Sequence, residues 1–486
     1  MTRKSHLLAI FEIALGILAP CYAQQPPPAA QEHAHHHDDI HTVEPVFPRM
    51  GRSQAQAQGK LFSLEEAQRI AAEGNPTLRQ AEAEIRATKA RFHQSGLYPN
   101  PSIGYTGDEI RGGSVDGGKQ GFFLQQTIVT GGKLTKNRGV FEQETRLAEL
   151  EAEEQRLRVE NSVKTAYIRV LAAQELLDTR RELAHIEENY AELQRQLFNS
   201  GQTDETEVLE AEVDAQRMRL SARMQENTLR EEWNSLAAVL GRPDLPLAVV
   251  SGELDRNWPE VDEAQAIESI ATQSPATRIA EAASTRAAAE MTRAKSQVIP
   301  DLQLRGGLEY NNEPLGTAPY ATGWEGLAEV SMAIPIFNRN QGNVAAASAD
   351  LDRARFEKQR IALTLRQRAA TIVDEYANGK LMVLAYRNEM LPRAQRAYAV
   401  MTEKYGQMLA AHPRMLQSQR KLFELHAEYI QVLETVWTTG IALEGYLLTD
   451  GLEAPSRPGE IDRPIRETNL PIPERSMSPM ATMPRP

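Results

Sequence analysis

The sequence predicts a mainly α-helical protein with a membrane β-barrel component, arranged as two tandem helix–β-hairpin–helix units. Three observations carry this. Helix-start signals and prolines recur at an offset of 199 residues: Asp262 with Gln265 repeats Ser63 with Glu66, Ser274-Pro275 repeats Asn75-Pro76, and Pro300 repeats Pro101. Each copy holds one short region of period-two alternation between long, proline-poor stretches rich in Ala, Glu, Gln, Arg and Leu. Beyond the first twenty-odd residues, the chain nowhere offers the roughly 18 consecutive apolar residues that a membrane-spanning helix needs. Any membrane passage therefore falls to β-strands, which satisfy their backbone groups in a closed barrel.

Taken in order, residues 1–23 read as an export signal. Arg3 and Lys4 form a basic start, Leu7 to Ala19 is a short apolar run interrupted by Glu12, and Cys21-Tyr22-Ala23 offers a small-residue cleavage site before Gln24. Cys21, the sole cysteine, leaves two readings open. It is a lipidation site following Leu18-Ala19-Pro20, or it is lost by cleavage after Ala23. Residues 24–60 are rich in Pro, Gln, Ala and His and are predicted to be disordered. Within them His33, His35, His36, His37 and His41, with Asp38 and Asp39, form a candidate metal-gathering tract. Clustered imidazoles and carboxylates take borderline divalent cations such as zinc, cobalt, nickel or copper; the alternative is a solvated linker.

The first repeat is predicted over 61–241, with a capping box at Ser63 and Glu66 and a kink or break at Asn75-Pro76. Its hairpin lies at about 99–130 and its helices at about 132–240. Residues 242–261 form a Pro/Gly-punctuated linker. The second repeat spans 262–450, with a hairpin at about 300–337 and helices at about 338–449, and a Pro-rich tail occupies 451–486. In the second hairpin Leu302, Leu304, Leu308 and Tyr310 alternate with Gln303, Arg305 and Glu309. Trp324, Ala328, Val330 and Met332 alternate in turn with Glu325, Glu329 and Ser331. The first hairpin is weaker: Ile103 and Tyr105 alternate, but Phe122 to Val129 is mixed. Two hairpins give four strands, too few to close a membrane barrel, whose smallest form has about eight. Oligomerisation is required.

Long helices follow each hairpin. Gly132 to Phe198 and Asn338 to Leu391 contain no proline, and the first stretch would extend on the order of 100 Å. Seams spaced by three and four run through Leu183, Ile186, Tyr190, Leu193 and Leu197, then return through Val208, Ala211, Ala215 and Met218. The turns between helices fall at Asn199–Gln202 and near Gly406 to Pro413, where the offset has grown to about 207.

At this point the chain resembles the TolC family of outer-membrane factors, and within it the subgroup serving heavy-metal efflux. The resemblance covers roughly residues 61–450. It rests on Tyr98-Pro99-Asn100-Pro101 before the first strand, Thr130-Gly131-Gly132-Lys133 opening the first long helix, and Ile334-Pro335-Ile336-Phe337-Asn338 in the second copy. The turn at Gly201 followed by Glu207-Val208-Leu209-Glu210-Ala211 adds to it. The resemblance implies a homotrimer with a shared barrel of about twelve strands in the outer-membrane lipid and a long α-helical barrel in the periplasm. It implies partners too: a periplasmic adaptor (membrane fusion) protein, and an inner-membrane transporter of the resistance–nodulation–division class that supplies the energy. This chain would be the passive exit duct for heavy-metal cations in a Gram-negative bacterium. The alternatives are a duct for drug efflux or type I protein secretion, and a soluble periplasmic coiled-coil adaptor.

The resemblance places the adaptor-facing tip at Gly201, Gln202 and Gly406. Asp204, Glu205 and Glu207 become gate candidates, because three chains would set such acids in rings that attract cations; ordinary helix capping is the other reading. The second tip departs from the family, with Met408 where glycine is expected. The formal net charge of -12 argues against nucleic acid as a partner, since that surface must displace counterions with basic residues. No nucleophile–base pair, phosphate loop or metal-protease motif is recognisable, so the chain is not read as an enzyme, and no cofactor is implied. Gly112-Gly113 and Gly117-Gly118 read as loop glycines, and Met477, Met480 and Met483 as part of the Pro-rich tail rather than a copper(I) site.

Overall fold

A computed structural model describes residues 61–109, 118–314 and 321–454. Its elements follow the order helix pair, strand pair, long helix, return helix, twice over. The first pass comprises α1 (Leu64–Gly74), α2 (Pro76–Ser95), β1 (Ser102–Asp108), β2 (Lys119–Ile128), α3 (Lys133–Asn199) and α4 (Glu205–Val239). The second comprises α5 (Glu263–Gln273), α6 (Pro275–Ser296), β3 (Leu302–Pro314), β4 (Ala321–Met332), α7 (Gln341–Ala385), α8 (Leu391–Gly406) and α9 (His412–Glu444).

The helix starts follow from local chemistry. Ser63 Oγ accepts from the Glu66 N–H at 3.2 Å, and Asp262 Oδ1 accepts from Gln265 N–H at 3.0 Å. Asn75-Pro76 makes a full break, because the residue before proline is pushed out of the helical region, and Asn75 has ψ 123. Asn75 then caps α2 through Thr77 N–H at 2.9 Å, as Ser274 caps α6 through Thr277 N–H at 3.2 Å.

α3 is 67 residues long, on the order of 100 Å at the helical rise. Among the described residues, small apolar clusters recur along that length. Leu147 and Leu150 pack on Ile279, Ala282 and Ala283 of α6; further along, Leu183 and Ile186 pack on Leu416 and Phe423 of α9. Alanines at Ala191, Ala211 and Ala215 let α3 and α4 approach closely near their shared turn. Charged groups are buried in the same seams. Arg286 of α6 donates to Glu144 Oε1 from Nη2 at 2.8 Å and from Nε at 3.1 Å, with both side chains enclosed. Arg420 of α9 makes a two-bond pair with Glu187, at 2.9 Å each, and reaches Asp214 of α4 at 3.3 Å.

Pro392 does not end the helix: the chain stays helical to Gly406, where the turn is expected. A five-residue π turn, Tyr386–Met390, precedes it, and the Leu391 N–H reaches back to Tyr386 O. Proline lacks the N–H for the carbonyl four residues earlier and clashes with it, and the wider turn absorbs both.

Residues 240–262 contain a feature with no sequence signature: Phe62 forms a parallel bridge with Val250. Phe62 N–H donates to Val249 O and Ser251 N–H to Phe62 O, both at 3.0 Å, while the Tyr167 hydroxyl of α3 donates to Phe62 O at 2.8 Å.

Candidate functional site: the strand wall and the helical tips

The four strands form one antiparallel sheet in the order β1-β2-β3-β4, so β1 and β4 are its edges. Register decides its faces. Ile103 lies opposite Leu124, Tyr105 opposite Phe122, Phe122 opposite Leu308, and Leu304 opposite Val330. With Trp324 and Met332, these side chains make one face that is apolar and exposed. Rings gather toward the loop end, Tyr105 edge-on to Phe122 at 5.8 Å and Tyr310 edge-on to Trp324 at 5.4 Å. At the opposite end Tyr98 and Phe337 are exposed, Phe337 to 90%. An exposed apolar band between two aromatic margins is the pattern of a lipid-facing barrel wall.

The other face carries Gln125, Gln303, Arg305, Glu309, Glu325, Glu329 and Lys119. Lys119 Nζ lies 3.1 Å from Glu325. The Arg305 guanidinium stacks on the Phe123 ring at 4.0 Å. That ring lies over Gly104, where an added Cβ would meet Phe123 Cζ at 2.5 Å, so glycine is required for the close approach.

The tips are the α3–α4 and α8–α9 turns. Gly201 has φ 70 and closes the first through Gln202 N–H to Leu197 O at 2.8 Å. Asp204 caps α4, its Oδ1 accepting from Glu207 N–H at 3.0 Å; Glu207 accepts from the Thr203 hydroxyl at 2.5 Å, and Glu205 is exposed. Gly406 ends α8. Met408 takes the left-handed turn of the second tip, at φ 58, and stands 95% exposed beside Leu409. His412 opens α9, stacked on Tyr190 of α3 at 5.6 Å with Tyr405 edge-on at 5.0 Å.

The structure thus brings Gly201, Gln202, Asp204, Glu205 and Glu207 together at one turn and places Gly406 at the other. Cys21, the tract His33, His35, His36, His37 and His41, and Met477, Met480 and Met483 lie outside the described residues. Among the described residues no group of three or more His, Cys, Asp or Glu is placed to hold a metal ion. Sequence reading missed the Tyr190–His412 stack and the buried pairs; a charged or aromatic residue on a helix carries no mark of which face its partner will cover.

An exposed apolar strand face, a polar face behind it and two very long helix hairpins are together in one chain. The family described as outer membrane efflux protein matches over residues 68–242. It is 23% identical over 403 residues to the cobalt-zinc-cadmium resistance protein CzcC of Cupriavidus metallidurans, an alignment covering 83% of this chain and 92% of that one. Among solved structures it is similar to a membrane protein from Pseudomonas aeruginosa, with TM-score 0.65 and 19% identity, covering 79% of this chain and 92% of the other. It is also similar to CusC, described for its folding and transmembrane channel formation, with TM-score 0.64 and 17% identity over 79% and 91% of the two chains.

Proposed function

We propose that this chain is one third of a trimeric exit duct that carries metal cations through the outer membrane of a Gram-negative bacterium. The observation that carries it is the sheet. Four strands with an exposed apolar face, and with β1 and β4 as edges, are incomplete in either water or lipid. Three copies joined β4 to β1 would close a barrel of about twelve strands, within the range of membrane barrels. The two repeats, 61–241 and 262–450, would then alternate around the axis with pseudo-sixfold symmetry. α3, on the order of 100 Å long, would carry the duct across the periplasm toward an adaptor and an inner-membrane transporter that supplies the energy.

Metal as cargo is supported by the named activity of the CzcC relative, whose length this chain nearly covers. In such a trimer Asp204, Glu205 and Glu207 would recur three times around the first tip and draw cations to the mouth. The test is deletion of the gene, followed by growth on graded zinc, cobalt and cadmium and on a panel of drugs. Metal sensitivity alone supports the proposal. Drug sensitivity with unchanged metal tolerance overturns the cargo, and unchanged growth on both overturns efflux by this chain.

A further inference from the structure

At the end of the sheet where β1 and β3 begin and β2 and β4 end, short connections lead to four helices. Those connections are tied into one collar. The Thr130 N–H, after β2, donates to Asp301 Oδ1, before β3, at 2.9 Å, and Lys133 Nζ lies 2.9 Å from the same oxygen. Asn137 of α3 links α2 to α6, donating from Nδ2 to Ser95 O at 2.9 Å and accepting from Arg293 Nη1 at 3.1 Å. Asn340, just before α7, donates to Ala294 O of α6 at 2.7 Å.

Two properties meet on this collar. The apolar stripe of β4 runs on beyond the strand, since Val330, Met332, Ile334 and Ile336 keep period two and are all exposed. The same stretches are basic. Residues 93–101, 129–141, 291–301 and 333–343 hold Lys133, Lys136, Arg138, Arg293, Lys295 and Arg339, with Asp301 as their single acid. In a chain of formal net charge -12, the sign is inverted here.

Two of these cations are committed inside the collar, Lys133 to Asp301 and Arg293 to Glu290 at 3.1 Å. The other four make no ion pair with a carboxylate among the described residues. Lys136 Nζ donates to Gly131 O at 3.1 Å, and the Arg138 guanidinium lies over the Phe92 ring at 4.6 Å. Arg138, Lys295 and Arg339 are exposed.

We propose that Lys136, Arg138, Lys295 and Arg339 form a headgroup collar that binds the phosphates of anionic glycerophospholipids in the leaflet on the helix side of the barrel. The proposal rests on the barrel reading and adds to it a lipid class and the residues that select it.

Depth and charge both fit. A lipid-facing apolar stripe that ends in cations places them at the level of the headgroups, and long Lys and Arg stems lie along apolar surface while their heads reach the polar layer. Basic residues at that level attract anionic lipid. The guanidinium fork matches two phosphate oxygens at once, and the ammonium acts as a point charge. A zwitterionic lipid of the same acyl chains offers equal apolar contact but brings its own cation. The hydrogen bonds of Asn137, Asn340 and Thr130 hold the collar together before lipid arrives, so binding needs little further ordering.

Native mass spectrometry of the full-length protein extracted from outer membranes tests this. The protein is offered equal amounts of phosphatidylglycerol and phosphatidylcholine with identical acyl chains. The wild-type oligomer should retain phosphatidylglycerol severalfold over phosphatidylcholine, with a preference that shrinks as ionic strength rises. Combining Arg138→Gln, Lys295→Gln and Arg339→Gln should bring the two lipids close to parity while the oligomer keeps its mass. Lys404→Gln with Arg414→Gln, at the second tip, removes charge of the same sign and should leave the preference intact. A wild-type oligomer with no preference overturns the collar, even where the triple variant fails to assemble. A preference that survives unchanged in the triple variant overturns the assignment to these residues. Recovery of the wild-type protein as a lipid-free monomer instead overturns the barrel reading, and the collar with it.

Discussion

Gly201 and Met408 occupy the same backbone position in the two tips, 207 residues apart. Each has positive φ, 70 and 58, and each donates its N–H to the carbonyl three residues back, Phe198 and Tyr405, both at 2.9 Å. The following residues repeat the match, Gln202 N–H to Leu197 O and Leu409 N–H to Lys404 O, both at 2.8 Å. The geometry is therefore set by the turn, and the side chain is not what the turn prefers. A left-handed conformation costs an L-residue roughly 1–2 kcal/mol.

Exchanging the residues should therefore move stability in opposite directions. Met408→Gly relieves the strain and should firm the second tip by about 1 kcal/mol. Gly201→Ala should weaken the first by a similar amount through φ alone, since an added Cβ meets nothing within 4 Å. Exchange rates of the Leu409 and Gln202 amides read both effects.

The Arg286–Glu144 pair between α6 and α3 should be costly to break from one side. Arg286→Met strands Glu144 as a buried charge, at about 3–5 kcal/mol. Adding Glu144→Leu should restore most of the loss, because an apolar pair of similar volume replaces two desolvated ions. A denaturation series over the single and double variants measures the recovery.

The two faces of the sheet should answer oppositely to charge. Leu308→Arg places a cation on the exposed apolar face and should hinder assembly in the outer membrane. Gln125→Arg, on the other face, should be tolerated. Heat-modifiable oligomers in outer-membrane extracts distinguish them.

Acid should loosen the second tip. Burial pushes His412 below its usual 6.5, and a cation at the first position of α9 would oppose the helix dipole. The neutral form is the one the fold holds, so this stability is present above pH 6.5 and lost as pH falls below it. Exchange at Leu416 should quicken in acid and become insensitive to pH in His412→Phe.

Much of this fold was legible because its signals are local. Caps, prolines and strand alternation announce themselves within a few residues, so Ser63, Asn75, Asp262 and Ser274 stand where the sequence puts them. What stayed hidden depends on distant partners. The Phe62–Val250 bridge spans 188 residues, and nothing near Phe62 announces a strand. The π turn Tyr386–Met390 before Pro392 likewise has no local mark in the sequence. At the tips the acids were legible as a group. That Asp204 caps α4 while the Glu207 carboxylate takes the Thr203 hydroxyl depends on the folded turn, since a capping acid and a lumen acid look alike in a sequence.

The central claim, that this chain is one third of a barrel, is tested most directly by the native mass of the complex extracted from outer membranes. Three copies per particle are expected, because four strands per chain need two neighbours to close their edges. A single copy, or recovery of the protein from the soluble periplasm, would contradict it.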